Sequence, residues 1–347
     1  SETAAESIAD RRRGAWIDFL CGRIHYYQGR PAEAIGCCKM VLPVAEALHD
    51  EQLLAIPSQL IGAALLTQGQ GKKCRPLLAR AVSLEHRLDN DYERLRARCY
   101  YAVSLVMTGD YREGLLLHEQ TVVRGAESKQ PAGLAAAHMF RCCSLRLCGD
   151  FAGFLDSAQQ SYEAAQRSGE QLYSFCAGSM VGWAHGFLGN LDEARRHRAQ
   201  AVELGHKLGA HLVLSDWLTA GDAEVALRAG EVERALALSE QLVPIYRKEG
   251  RLLALGVAEQ ALGIAIARLE PSRWAEAESH LQAALELLET TEQRLSAAIL
   301  RLEWAQLLQR RGETERAAAL RAQGAAQFQA SGCAHLLPGI EAATLTA

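Results

Sequence analysis

The segment Gly189-Asn190-Leu191-Asp192-Glu193-Ala194 begins with a glycine that recurs along this chain at a near-constant interval. Its equivalents are Gly29, Gly69, Gly109, Gly149, Gly230 and Gly312. The successive intervals are 40, 40, 40, 40, 41 and 82 residues, and the last of these is two units. A fixed period of this length indicates that one supersecondary unit is copied along the chain. The sequence therefore predicts a solenoid.

Two columns of small residues flank this glycine. The column seven residues before it reads Gly22, Gly62, Ala102, Cys142, Gly182, Ala223, Gly263 and Ala305. The column five residues after it reads Ala34, Cys74, Gly114, Phe154, Ala194, Ala235 and Ala317, which is small in all but one unit. Such columns mark helix faces that approach each other closely. Leucine at Gly62 or Gly182 is expected to overpack the contact, and alanine to be far milder.

Each unit is predicted to be an antiparallel pair of helices. The recurring glycine ends the first helix in the left-handed conformation, and a second set closes the second helix: Gly169, Gly209, Gly250 and Gly332. The seventh unit carries an insertion at Pro271. We expect an all-α fold, a right-handed α-α superhelix of about eight hairpins over residues 1–333. Residues 334–347 are expected to form a capping helix or tail.

Composition restricts the possible function classes. The 347 residues carry a net charge of −4 with both signs interspersed, which argues against direct nucleic-acid binding or a membrane surface. No stretch approaches the roughly 20 apolar residues that a spanning helix needs, and the N-terminus lacks the apolar core of a signal peptide. We therefore expect a cytoplasmic protein, in which the ten cysteines are free thiols packed as small apolar groups.

Motifs for chemistry are absent from the sequence. The segment Gly69-Gln70-Gly71-Lys72-Lys73-Cys74 lacks the spacing and the Ser or Thr of a phosphate-binding loop. The most metal-like set is His138, Cys142, Cys143 and Cys148, but Cys142 belongs to the small column and Cys148 precedes a turn glycine. We therefore expect no enzyme, no catalytic residues, no metal and no cofactor.

The spacing of small residue, glycine and alanine resembles the tetratricopeptide repeat. A run of eight units of about 40 residues is similar to the sensor domain of MalT-type regulators, to the C-terminal arrays of large LuxR-type regulators and to those of ATPase-linked adenylate cyclases. The closing segments Leu302-Glu303-Trp304-Ala305 and Ala325-Ala326-Gln327-Phe328 are similar to the ends of those arrays. The resemblance implies a superhelix that binds an inducer or a partner protein and controls an attached domain.

Residues on the first helices are the candidates for the concave groove. By column they are Phe19, Arg23, Tyr26, Met139, Arg146, Trp183, Phe187, Trp217 and Glu224. Aromatic and arginine side chains with a few polar groups are typical of a binding surface, although the rings can equally fill space between helices. A sharper column is Arg228, Arg268 and Arg310, in register over three units. These arginines can hold a carboxylate, a phosphate or an acidic peptide, or can simply stabilise helix ends.

The sequence thus predicts a non-catalytic binding module. The main prediction is the ligand-sensing or protein-interaction domain of a bacterial signalling or transcription regulator. Its superhelix would make about one turn around a groove or partly closed tunnel, and its pitch would change when a small-molecule inducer, a protein or a peptide binds. The alternative is a constitutive scaffold that grips a peptide from a partner protein.

Overall fold

The structure is a computed structural model that describes residues 2–128, 130–209 and 211–345. These residues form 17 α-helices and no strand, arranged as eight hairpins and a final helix. The first helices of the hairpins are α1 (Glu2–Tyr27), α3 (Glu51–Thr67), α5 (Asp91–Met107), α7 (Pro131–Cys148), α9 (Gln171–Phe187), α11 (Ser215–Arg228), α13 (Leu252–Leu269) and α15 (Arg294–Arg310). The second helices are α2 (Pro31–Ala47), α4 (Gly71–Ser83), α6 (Tyr111–Glu127), α8 (Phe151–Ser168), α10 (Leu191–Leu208), α12 (Val232–Glu249), α14 (Trp274–Thr290) and α16 (Thr314–Ala330); α17 (Leu337–Leu345) follows. The predicted all-α superhelix of helix hairpins is confirmed.

The recurring glycine closes the first helix of a hairpin in the left-handed conformation, with φ between +65° and +99° in all seven units that carry it. In the second set, Gly169 and Gly250 cap their helices in the same way. Gly209 does not, because its ψ of 149° extends the chain and leads it away from α10. Gly209 nevertheless ends α10, as the sequence predicts. In the seventh hairpin a short 3₁₀ turn, Pro271–Arg273, replaces the glycine.

The two small columns face each other within a hairpin. A Cβ added to Gly182 would lie 2.9 Å from the carbonyl oxygen of Ala194, and one added to Gly114 would lie 2.9 Å from that of Ala102. Both obstacles are backbone atoms of the paired helix, which cannot rotate aside as a side chain can. Alanine at Gly182 is therefore not the mild change that the sequence suggested.

The first helices form an inner layer and the second helices an outer one. Helix α9 buries 15 of its 17 residues, whereas its hairpin partner α10 buries only Ala194 and Ala201. Helix α13 is 18 residues long and apolar enough to cross a membrane by length and composition, contrary to the expectation that no stretch qualifies. Because 72% of α13 is buried inside the protein, it has the surroundings of a core helix.

The superhelix closes on itself through contacts between distant hairpins. At the turn of the first hairpin, the Val213 N–H donates to the Tyr27 carbonyl at 3.0 Å, and Arg251 donates to the Gly29 carbonyl at 2.5 Å. The turn at Gly109 faces Arg294, which begins the eighth hairpin. Each of these turns therefore meets a segment about five hairpins further along the chain. Eight hairpins thus make more than the single superhelical turn expected from the sequence.

This winding leaves little open space inside. The accessible surface is 14534 Å². A compact globular monomer of 37.8 kDa exposes about 14,000 Å². An open superhelix with a solvent-filled channel would expose considerably more surface. In place of the groove or partly closed tunnel expected from the sequence, the protein has a packed interior with local clefts.

Candidate binding site

Several predicted groove residues in the early hairpins are packed inside the protein. Phe19, Tyr26 and Met139 are each no more than 4% exposed. The Tyr26 hydroxyl lies 3.4 Å from that of Tyr100, and Arg23 is only partly buried and donates to Glu93 at 3.1 Å. The structure gives these side chains neighbours within the fold instead of an open surface.

A buried cluster crosses the interior between the fourth, fifth and sixth hairpins. The guanidinium of Arg146 lies over the rings of Trp183 and Phe187, at 4.7 and 4.8 Å from their centroids. Arg146 also forms an ion pair with Glu224, which accepts a hydrogen bond from Trp183 Nε1 at 2.9 Å. Trp217 packs edge-on against Trp183 at 5.0 Å. Five predicted site residues thus meet here, and together they fill the middle of the superhelix.

One part of the inner face stays accessible, where α11, α13 and α15 lie side by side. We call it the arginine pocket. Its lining comprises Glu224, Leu227, Arg228, Gln260, Ala261, Ile264, Arg268, Glu303, Gln306, Leu307 and Arg310. The void between these side chains is about 20 Å³, which is room for about one water molecule. The three arginines of the sequence column therefore line a single pocket.

The carboxylates of the arginine pocket already have partners. Glu303 pairs with Arg228 at 2.5 Å and accepts a further hydrogen bond from Gln260. Glu224 is held by Arg146 and Trp183. Each acid of the pocket is therefore already bound by an arginine and by one further donor.

Arg268 and Arg310 are the less satisfied members of the arginine pocket. Arg268 donates to the Leu227 carbonyl at 3.4 Å, while its Nε is buried and has no hydrogen-bond partner among the described residues. Burial and, to a smaller extent, the positive charges of Arg310 and Arg228 together lower the pKa of Arg268 to about 10, and the negative charge of Glu303 opposes this shift. Arg310 is exposed. Across the described ranges neither Arg268 nor Arg310 forms an ion pair with a carboxylate, so the pocket carries excess positive charge.

A larger cleft opens beside this pocket, between α17 and the turns that follow α7 and α9. We call it the mouth cleft; its volume is about 450 Å³. Phe151 and Phe187 stack in its wall with ring centroids 4.1 Å apart, and Ala152 lines it as an exposed residue. Arg228 lines both the mouth cleft and the arginine pocket, and it donates to the Ala343 carbonyl of α17. The two spaces therefore adjoin.

A possible metal-binding group lies elsewhere, at the turn of the fifth hairpin. His185, Glu193 and His197 each offer a ligand atom within 4.8 Å of the others. Burial lowers the pKa of both histidines, which favours the neutral form that binds metals. However, the Arg196 guanidinium forms an ion pair with Glu193 and lies 3.2 Å from His197 Nε2. Arg196 therefore already supplies the positive charge that a metal ion would bring to this group. The cysteines proposed and rejected as ligands instead contact main chain and sulfur atoms, as Cys142 does with Met139 and Met180.

Sequence reasoning missed some members of the arginine pocket and most of the mouth cleft, of whose lining it named only Phe187 and Arg228 as site residues. Gln260, Glu303 and Gln306 are polar residues on the inner helices α13 and α15, whose other inward residues are largely apolar. A polar residue within such a buried helix is the signal that could have marked them. The mouth cleft has no comparable signal, because α17 reaches it through the winding of the superhelix.

Comparisons with known proteins support the architecture. No protein-family model and no curated protein matches the sequence. The chain is similar to a solved Rap protein complexed with competence and sporulation factor, with a TM-score of 0.64, 11% identity, and coverage of 96% of this chain and 99% of that one. It is also similar to aspartyl phosphate phosphatase F from Bacillus subtilis, with a TM-score of 0.55, 12% identity, and coverage of 84% and 75%. These likenesses support a tetratricopeptide-like helical repeat, and they do not bear on the resemblance to MalT-type, LuxR-type or cyclase arrays.

Proposed function

We propose that this chain is a non-catalytic module that binds a peptide segment of a partner protein at the mouth cleft and the adjoining arginine pocket. The observation that carries the proposal is the mouth cleft itself. Its volume of about 450 Å³ falls within the range of ligand sites, and it joins a stacked aromatic pair to an arginine. Aromatic and arginine side chains are the residue types that dominate protein recognition.

The solved relatives are consistent with a binding role. A Rap protein with the same architecture over nearly its whole length was solved with competence and sporulation factor bound to it. We extend from that protein to this chain only the general role, which is to hold another molecule on a helical-repeat framework. The segment bound by this chain is defined by the chemistry of its own clefts.

Constitutive binding fits the structure better than a pitch-changing sensor. The hydrogen bonds of Val213 and Arg251 to the first hairpin's turn tie the two ends of a superhelical turn together. A change of pitch would break such contacts, whereas binding in the mouth cleft leaves them intact. We therefore favour the scaffold alternative. Attachment to a bacterial regulator and a cytoplasmic location stay predictions from the sequence.

The test is selection of binding peptides, followed by measurement of affinity with a blocked mouth cleft. Random peptides displayed on phage are selected on the whole chain, and their affinities are measured by fluorescence anisotropy. Ala152→Trp places an indole in the mouth cleft from an exposed position. Ala32→Trp is the matched control, because Ala32 is the equivalent exposed residue of the first hairpin.

We expect Ala152→Trp to weaken peptide binding at least about tenfold, which corresponds to about 1.4 kcal/mol, because the indole fills the mouth cleft. Ala32→Trp should leave the affinity within about twofold of the wild-type value. Equal affinities for the two variants would place the binding site elsewhere and contradict the proposal. Failure to select any peptide that binds more tightly than about 1 mM, or about −4 kcal/mol, would contradict it as well.

A further inference from the structure

We propose that the arginine pocket binds a carboxylate group, supplied by an acidic residue or the C-terminus of the bound segment. The assignment of the carboxylate to a peptide rests on the proposed function. The affinity of the pocket for a carboxylate does not, and it can be measured on its own.

The first argument is the balance of charge. In and around the pocket, Arg146 pairs with Glu224, and Arg228 pairs with Glu303. These two pairs engage both acids of the lining, so that Arg268 and Arg310, on neighbouring helices, form no ion pair with a carboxylate of the described residues. Arg268 is partly buried, and a partly buried charge without an ion-pair partner destabilises the folded protein, so an anion that binds beside Arg268 removes an existing penalty.

The second argument is the supply of unused hydrogen-bond donors. A guanidinium has five N–H donors, and buried donors are almost always satisfied in native proteins. Arg268 donates one hydrogen bond to the Leu227 carbonyl, at the long distance of 3.4 Å. Its buried Nε–H has no hydrogen-bond partner within the described part of the chain. The Leu227 carbonyl belongs to the last turn of α11, which favours a nearby cation, but this contact leaves the Nε–H of Arg268 unsatisfied. A carboxylate accepts two parallel hydrogen bonds from the Nε side of a guanidinium and would satisfy it.

The third argument is size and surroundings. The void of about 20 Å³ is close to that of one water molecule, and its walls include the apolar Ala261 and Ile264. Arg310 lies exposed at the same pocket, so its side chain can rotate to enlarge the opening. A planar, singly charged carboxylate needs a smaller adjustment than a tetrahedral, doubly charged phosphate. The geometry therefore favours a carboxylate.

The experiment uses sodium acetate as the probe, with sodium chloride and sodium phosphate as comparison salts at equal ionic strength. The arginine Nε–H resonances of the whole ¹⁵N-labelled chain are followed by NMR, because a buried Nε–H exchanges slowly enough to be seen. Arg268→Met identifies the Arg268 signal by its loss. The matched control is Arg301→Met, which removes another arginine with a buried, unpartnered Nε that lies outside the pocket and pairs with Glu289.

We expect acetate to shift the Arg268 Nε–H resonance with a saturable curve, in the wild type and in Arg301→Met. We also expect acetate to raise the melting temperature of these two proteins and not that of Arg268→Met. A response that is linear in salt, that chloride reproduces, or that Arg268→Met retains would overturn the proposal. A saturable response to phosphate without one to acetate would overturn the choice of carboxylate.

The two proposals fail in different ways. If acetate saturates the pocket but no peptide is selected, the anion site stands and the peptide-binding function fails. If peptides bind at the mouth cleft but acetate has no effect on the Arg268 resonance, the carboxylate assignment fails alone.

Discussion

Replacing Gly182 by alanine should destabilise the protein, although alanine is the better helix former. The new Cβ would lie 2.9 Å from the Ala194 oxygen and 3.2 Å from the Arg198 nitrogen, both of which are backbone atoms of α10. Ordinary contacts of a Cβ begin at 3.4 Å, so α9 and α10 must separate by a few tenths of an ångström. Overpacking of this kind costs ~1–3 kcal/mol. The higher helix propensity of alanine offsets about 1 kcal/mol of this destabilisation.

Gly36 provides the matched control, because a Cβ there meets nothing within 4 Å. Gly36→Ala should gain about 0.5–1 kcal/mol from helix propensity alone. Urea denaturation followed by circular dichroism should therefore separate the two variants by ~1–3 kcal/mol, with Gly36→Ala the more stable. Equal stabilisation of both variants would refute the reasoning that the small columns face each other across each hairpin.

Three further results are expected. Ile340→Asp, at a fully buried position against Gly149, should release α17 to proteolysis with little loss of helix, whereas Ala342→Asp at an exposed position should not. Burial lowers the pKa of His118 to about 3, below that of the unfolded chain, so stability should fall as the pH drops below about 6.5; His118→Gln should reduce this slope by up to ~1.4 kcal/mol per pH unit in urea titrations. Arg96→Met should lower the free energy of unfolding measured in urea by ~1–3 kcal/mol, because the buried Arg96 guanidinium donates to a buried tyrosine hydroxyl.

The repeat architecture could be predicted from the sequence because its requirements are local and recur. Few residue types fit a left-handed position such as that of Gly149, or a close helix contact such as that at Gly182. The same small residues therefore recur at equivalent positions of successive units, where the sequence shows them as a column. The extended ψ at Gly209 could not be read in the same way, because Gly169 and Gly250 of the same column are left-handed.

The contacts that close the superhelix could not be predicted in this way. The pairing of Arg251 with the Gly29 carbonyl joins residues separated by 222 positions, and its geometry depends on the accumulated rotation of every hairpin between them. For the same reason the sequence could not distinguish a ring that lines a groove from one packed across the interior, as Trp183 is. The arginine column was visible because Arg228, Arg268 and Arg310 repeat in register.

The most direct measurement of the central claim is a double-mutant cycle between the protein and a selected peptide. The affinities of the peptide and of its version with every acid replaced by the amide, including an amidated C-terminus, are measured on the wild type and on Arg268→Met. We predict that removing the acids weakens binding to the wild type about tenfold or more and changes binding to Arg268→Met by less than about twofold, a coupling above about 1 kcal/mol. Equal losses on both proteins would contradict the claim that the arginine pocket recognises a carboxylate of the bound segment.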